Sequence, residues 1–237
     1  MIKRLFIADT HGYYPDLSAF PNHEIVLMGD MMEHGSVAVY AQFEKWLCRL
    51  SQKKIHFVRG NHDSGQYGNL YNPNSIIMWD NLAKVFVGHT FKYPWAEAGK
   101  NDLLILLDSV CKTHSPHDFA QGLIGREQQT ETLRMIGLYE AKQAPKHERV
   151  TICLHHDPFN SDTTLLLKDA GEFIANVAGL VNYVFYGHTH IDTVVDAHRC
   201  IDGTHFFACP AVQEPGAKTW EQVIYDNGNV EVNLMKV

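Results

Sequence analysis

Apolar and polar positions along this chain follow two periods. Short apolar runs recur at residues 4–8, 24–28, 53–58, 84–89, 103–107, 149–154 and 182–186. Runs of that length, bounded by glycine or polar turns, read as short buried strands. Elsewhere the period lengthens to that of a helix. Val39, Tyr40, Phe43, Trp46, Leu47 and Leu50 share one apolar face after Ser36, whose hydroxyl suits an N-cap. Leu133, Ile136 and Tyr139 do the same within 127–142, and a third helix is expected over 171–178. Residues 64–83, rich in Gly, Asn, Pro and aromatics, read as a long irregular loop, with another at 111–121. Past residue 190 the pattern becomes short strands at 193–197, 204–208, 222–225 and 230–234. Strands alternating with helices point to βαβ units in an α/β layered fold, and the strand-rich C-terminal part to a second sheet. With no linker, repeat or low-complexity tract, one domain over 1–237 is the simplest organisation.

Five of the apolar runs stop at residues able to bind metal. The first leads into Asp9 and His11, the next two into Asp30 and Asn61. Two later runs lead into His155 and into the pair His188 and His190. In α/β sheets, ligands bind beyond the carboxyl ends of the strands, so five such ends can meet in one crevice. Asp9 and His11 are two apart, as are His188 and His190, which puts each pair on one side of extended backbone.

Composition narrows the chemistry. The formal charge of −7 argues against an extended nucleic-acid surface, which needs a basic stripe. It does not disfavour a small anion, because bound metal ions reverse the local field. No apolar stretch approaches the roughly 20 residues of a membrane helix. The apolar segment near Met1 is too short for a signal peptide and runs directly into Asp9. Five cysteines without a CxxC spacing fit reduced thiols in the cytoplasm.

The candidate donors are four histidines, two aspartates and an asparagine oxygen. That set is too rich for one tetrahedral zinc, and a structural zinc would usually recruit cysteine. Nitrogen and oxygen donors without thiolate suit Mn, Fe, Zn, Ni or Co. Seven ligands fit two ions sharing a carboxylate, the arrangement that clamps the attacking and leaving oxygens of an in-line phosphoryl displacement.

The ordered set D-x-H, G-D, G-N-H-D, H-H and G-H-T-H, from Asp9 to His190, resembles the calcineurin-like metallophosphoesterases. The resemblance implies a four-layer α/β/β/α sandwich of two mixed sheets. It implies two divalent or trivalent metal ions, with Mn, Fe or Zn expected. Asp9, His11 and His190 would bind one ion, and Asn61, His155 and His188 the other, with Asp30 bridging. The nucleophile would be a metal-bridging hydroxide. His62 would contact the substrate phosphate and protonate the leaving oxygen, with Glu33 as the carboxylate that orients it. Asn61 and His34 would also face the substrate.

The stretch Gly29-Asp30-Met31-Met32-Glu33-His34-Gly35 departs from the G-D-x-x-D-R-G of protein serine/threonine phosphatases. Glu33 replaces the second aspartate, and His34 replaces an arginine whose bidentate fork a histidine cannot copy. The chain is more similar to bacterial class III cyclic nucleotide phosphodiesterases. That similarity extends to Tyr40, Phe43, Leu106-Leu107-Asp108-Ser109 and Leu154-His155-His156-Asp157-Pro158. Asp157 departs from that group's apolar residue or proline. The implied activity is hydrolysis of a small phosphodiester, a cyclic nucleotide among the candidates. The alternatives are a phosphomonoesterase, a dinucleoside polyphosphate hydrolase or a non-catalytic metal-binding scaffold. Tyr67, Tyr71, His114 and His117 stand in loops expected near the site. His23, His56, His89, His147, His198 and His205 have no evident second partner and read as ordinary strand or polar residues.

Overall fold

The computed structural model describes residues 1–50, 53–66, 70–87, 92–99, 102–111, 120–142, 149–190 and 198–237. In chain order, β1 (Ile2–Ile7) and β2 (Glu24–Leu27) precede α1 (Val37–Arg49) and β3 (Ile55–Phe57). A short α2 (Asn61–Ser64) and a small ribbon, β4 (Gly65–Gln66) with β5 (Leu70–Tyr71), lead to α3 (Pro73–Val87). Then come β6 (Trp95–Ala98), β7 (Asp102–Leu106), α4 (Arg126–Lys142) and β8 (Arg149–Cys153). The last elements are α5 (Ala170–Val177), β9 (Tyr183–Tyr186), β10 (His198–Ile201), β11 (Thr204–Ala208), β12 (Lys218–Ile224) and β13 (Val230–Lys236).

Two mixed sheets result, ordered β13-β12-β1-β2-β3 and β10-β11-β9-β8-β7-β6. In the first, β1, β2 and β3 are parallel and β12 runs against β1. In the second, β7, β8, β9 and β11 are parallel, with β6 and β10 antiparallel at the edges. The parallel strands are nearly wholly buried, which is why they read as unbroken apolar runs. The sheets meet face to face, with Phe6 stacked on Phe185 at 3.8 Å and Trp220 edge-on to Phe207 at 5.2 Å. Beyond the first sheet, Trp79 of α3 packs between Phe43 of α1 and Phe57 of β3, at 5.8 and 5.9 Å. Each such aromatic side chain contributes roughly 1.5–3 kcal/mol through burial. On the second sheet, Ile136 and Tyr139 of α4 and Phe173 and Val177 of α5 are buried. Asp169 accepts hydrogen bonds from the Ile124 and Gly125 amides and the Gln129 side chain, tying the starts of these helices together. The layers are α/β/β/α.

At the ends of the strands away from their carboxyl termini, a buried Arg4 joins the sheets. Its guanidinium donates to Glu24 and Gln222 in its own sheet and to Asp102 in the other.

Three expectations are corrected. Among the described residues, those of the expected 64–83 loop lie mostly in β4, β5 and α3, and 84–87 of the expected 84–89 strand continue α3. Ser75, Trp79, Leu82 and Ala83 face inward at helical spacing along α3, and Pro73 occupies a first-turn position that tolerates a missing amide. The β-branched and aromatic run Val85-Phe86-Val87 merely imitates a strand at the end of that helix. Ser36 sits in extended backbone at the start of α1 but makes no side-chain cap; its carbonyl accepts the Tyr40 amide instead. The edge strands β6 and β10, which are only partly buried, lack a clear apolar run. The strand expected at 193–197 lies outside the described residues, as do Tyr67, His89, His114, His117, His147 and the side chain of Tyr71. Among the described residues, no helix is long and apolar enough to cross a membrane.

Candidate metal centre

The carboxyl ends of β1, β2, β3, β8 and β9 bring the expected ligands together. Hydrogen bonds lace these ends to one another. The amides of Asp9, His11 and Gly12 donate to the carbonyls of Gly29, Asp30 and Met31, and the Gly187 amide donates to His155. Asp9, His11, Asp30, His188 and His190 all adopt positive φ, between 45° and 73°. Non-glycine residues rarely do so, and such strain gathers at functional sites. Two glycines permit the close approach. A Cβ on Gly60 would lie 2.1 Å from Asp30 Oδ1, and one on Gly29, at φ +93°, would lie 2.5 Å from His155 Nδ1.

His155 stands at the centre of one group. Its Nδ1 donates to the Met28 carbonyl at 2.9 Å, which aims the lone pair of a neutral Nε2 inward. Within 3.2 Å of that nitrogen lie Asp30 Oδ2, Asn61 Oδ1 and His188 Nδ1. All four residues are buried. Four electron-rich atoms facing one another out of water demand a cation. A proton on Nε2 serves as one. Burial opposes a charge on His155, yet Asp30 overrides it and raises the imidazole to about 9. Burial likewise opposes the Asp30 charge, and His155 holds that carboxyl well below its usual range. Burial and then His155 push His188 down to about 4, and among the described residues its Nε2 has no hydrogen-bond partner. A metal ion fits this donor set better than one proton does, because it can accept all four lone pairs.

Asp9, His11 and His190 form the second group. His11 Nε2 lies 3.0 Å from His190 Nε2, which is 3.5 Å from Asp9 Oδ1. Both Asp9 oxygens accept from the His188 amide, so the two groups are joined through one backbone. The Asp9 hydrogen bond raises the pKa of His190, whereas burial lowers that of His11. Asp30 is gathered with His155 and His188 rather than with this group. Its other oxygen, Oδ1, accepts the His62 amide at 2.9 Å.

Glu33 does not hold His62 as expected. His62 Nδ1 donates to the backbone carbonyl of Glu33 at 2.8 Å. The Glu33 carboxylate is largely exposed and lies 3.4 Å from His11 Nδ1. The reason is geometric: the 29–35 turn points its carbonyl at the ring and swings its side chain toward the first strand's loop. Glu33, His11 and His62 still cluster at the mouth of the site. His34 is half-buried and belongs to none of the three clusters of candidate ligands.

Asp63 ties the opening turns together. Its Oδ2 accepts the amides of Gly60 and Asp30 at 2.9 Å, and its Oδ1 accepts that of Met32 at 3.1 Å. Burial, then Asp30, raises its carboxyl to about 7, while the Gly60 and Met32 amides pull the other way. His156 is buried behind His155 and His188. Its Nδ1 meets Ser109 Oγ at 2.8 Å, and Ser109 Oγ accepts the His156 amide. Sequence reasoning missed Arg59. It is buried one residue before Gly60, pairs with Asp80 and Asp108, and lies over the Tyr93 ring. A charged residue between an apolar strand and a ligand turn was its available signal.

No curated protein matches this chain. Among solved structures, a dimetal phosphatase from Danio rerio is similar at 15% identity and a TM-score of 0.61, over 99% of this chain and 98% of that one. A putative 5′-nucleotidase from Staphylococcus aureus is similar at 11% identity and a TM-score of 0.59, over 100% of this chain and 54% of its own. A sulfate thiohydrolase from Thermus thermophilus is similar at 13% identity and a TM-score of 0.58, over 90% and 39%. At such identities these likenesses speak to the fold. The family model for calcineurin-like phosphoesterases matches residues 2–192, a span that contains every strand end described above. The chain therefore belongs to the calcineurin-like phosphoesterase family.

Proposed function

We propose that this chain is a two-metal phosphodiesterase acting on small phosphodiesters, cyclic nucleotides included. The observation that supports it most is the convergence of Asp30, Asn61 and His188 on His155 Nε2, each at 3.2 Å. Asp9, His11 and His190 would hold one ion and Asn61, His155 and His188 the other, with Asp30 serving both. Two ions held there would neutralise a phosphate and lower the pKa of a bound water. Asn61 and His34 contact the substrate. His62 supplies the proton. With Nδ1 held by the Glu33 carbonyl, the ring presents Nε2 to solvent and substrate. A proton on Nε2 passes to the leaving alkoxide.

The choice of a diester rests on the Gly29–Gly35 turn. A guanidinium fork suits a dianionic monoester, whereas His34 offers a single contact. The competing reading, a phosphomonoesterase, draws on the names of two structural neighbours, a dimetal phosphatase and a putative 5′-nucleotidase.

The test is hydrolysis of bis-p-nitrophenyl phosphate and p-nitrophenyl phosphate with added Mn²⁺, for wild type and Asp30→Asn. Diester turnover that Asp30→Asn abolishes is expected. Preference for the monoester would transfer the assignment to a phosphatase, and inertness with several metals would sink the enzyme reading. His62→Ala should keep both ions and lose turnover most with poor leaving groups; loss of metal would make His62 a ligand instead.

A further inference from the structure

A second cluster of metal-binding side chains lies at the far end of the second sheet. His198 and His205, which showed no partner in the sequence, face each other across β10 and β11. Their Nε2 and Nδ1 atoms are 2.9 Å apart, and the ring planes lie within 11° of parallel. The ladder explains the pairing. His198 lies opposite Phe207 and Cys200 lies opposite His205, so His198, Cys200 and His205 share one face. The rest of the packing agrees. The His198 ring stacks on Phe207 at 4.6 Å and His205 on Tyr183 at 6.0 Å. Arg199 points the other way, over the Phe159 ring. His198 and Cys200 are exposed and His205 is half-buried. The cluster sits three residues, roughly 10 Å, before Ala208 at the site end of β11. It therefore belongs to neither group of the metal centre.

We propose that His198, Cys200 and His205 form a separate site for a borderline-soft divalent ion of the Zn²⁺ class. Two imidazoles and a thiolate are a donor set for zinc, cobalt or copper and a poor one for manganese or magnesium. The imidazole spacing is nearly correct. Two nitrogens each about 2.0–2.1 Å from a tetrahedral ion stand roughly 3.3 Å apart, so the pair opens by only about 0.4 Å. In its present rotamer the thiol is not grouped with both nitrogens. Cys200 is exposed and lies directly opposite His205 on the same face, so the site requires its sulfur to turn toward the pair. The ion then bonds to His198 Nε2, Cys200 Sγ and His205 Nδ1, with water in the fourth position. The shared imidazole proton moves to the opposite ring nitrogen, and one proton leaves the thiol for solvent. The ion clamps the exposed edge strand β10 to β11.

The dimetal centre contains no sulfur, so a thiolate signal isolates this site. The experiment titrates Co²⁺ into the full chain preloaded with Mn²⁺ and follows the near-ultraviolet thiolate-to-cobalt charge-transfer band. The band should saturate at the amplitude of one thiolate-bound Co²⁺ per chain, whatever Co²⁺ exchanges into the sulfur-free dimetal centre, and vanish on adding Zn²⁺. Cys200→Ser should abolish it, and Cys48→Ser, at the other exposed cysteine among the described residues, should not. His198→Ala and His205→Ala should each weaken binding by more than about tenfold, since even the outer partners of a metal ligand are worth that much. A wild-type chain without the band, or a Cys200→Ser chain that retains it, would overturn the proposal.

Discussion

Gly60→Ala tests the packing on which the metal centre depends. Gly60 has φ −101° and ψ 173°, extended backbone that alanine adopts freely. The obstacle is space alone. The new Cβ would lie 2.1 Å from Asp30 Oδ1, 2.3 Å from Asp30 N and 2.8 Å from Asp30 Cγ. Contacts under 3.0 Å essentially never occur, so Asp30 must retreat by about 0.9 Å. Asp30 is not free to do so, because its amide is held by Asp63 and its Oδ1 by the His62 amide, both at 2.9 Å. Overpacking of this kind costs about 1–3 kcal/mol. For a chain of this size, each kcal/mol moves Tm by roughly 2–4 °C. Metal sites tolerate ligand displacements of only about 0.2 Å, so the functional loss should exceed the stability loss. Thermal unfolding should show a moderate drop, metal analysis fewer than two ions per chain, and diester hydrolysis near background. Gly137→Ala provides the control. Among the described residues, nothing beyond the local backbone of α4 lies within 4 Å of its new Cβ, and removing a helical glycine should stabilise by about 0.5–1 kcal/mol. A Gly60→Ala protein with two bound ions and wild-type turnover would refute the reasoning.

Three other perturbations separate the roles assigned above. Glu33→Ala removes the carboxylate beside His11 but keeps the carbonyl that holds His62. It should weaken metal binding by about tenfold while leaving the dependence of rate on leaving group unchanged; a steeper dependence would return the orienting role to the carboxylate. Asp63→Ala strips the acceptor from three amides, each worth about 1–3 kcal/mol when buried and unpaired. Urea unfolding should show a loss of at least about 3 kcal/mol, and a loss below about 1 kcal/mol would contradict the assigned network. Glu24 governs part of the acid limb. Burial raises its pKa, but His56 and then Arg4 outweigh that and hold it at about 2. A carboxyl lowered in the folded state contributes stability that is complete above its unfolded value of 4.5 and is lost as pH falls toward 2. Glu24→Gln should flatten stability against pH in that window, by up to about 3 kcal/mol; an unchanged slope between pH 4.5 and 2 would count against it.

The parts legible in the sequence are those where burial and chemistry coincide. Parallel strands covered on both faces become apolar runs, and a ligand at the end of such a run stands out against them. That is why the pattern of the chain alone sets Asp9, Asp30, Asn61, His155 and His188 at strand ends. Segments decided by tertiary contacts were less readable. α3 carries a strand-like Val85-Phe86-Val87, and only its packing of Trp79 against Phe43 and Phe57 makes it a helix. Glu33 illustrates a subtler limit. Its position in the motif was visible, but whether its carbonyl or its carboxylate reaches His62 depends on the path of one turn. His198 and His205 are seven residues apart, and their pairing follows from a hairpin register that the sequence does not state.

Backbone strain gives a further reason to regard the strand ends as one device. Among the described residues, Asp9, His11, Asp30, His188 and His190 account for all but one of the non-glycine positions with positive φ; the other is Asp202, in the β10–β11 turn. Such conformations cost on the order of 1–3 kcal/mol each, and glycine would relieve them. Glycine has no ligand atom, so what keeps aspartate and histidine at these positions is the side chain rather than the backbone. The strain is borne by the surroundings. Amides of residues 9, 11 and 12 donate to carbonyls of 29, 30 and 31, that of Gly187 donates to His155, and Asp63 gathers the next turn. These hydrogen bonds hold the turns that bring the donor atoms within 3.0–3.5 Å of one another. A site prepared in this way owes its affinity to preorganisation. Loosening the turns at Asp63 or Gly60 should therefore weaken both ions together, even though neither residue supplies a ligand.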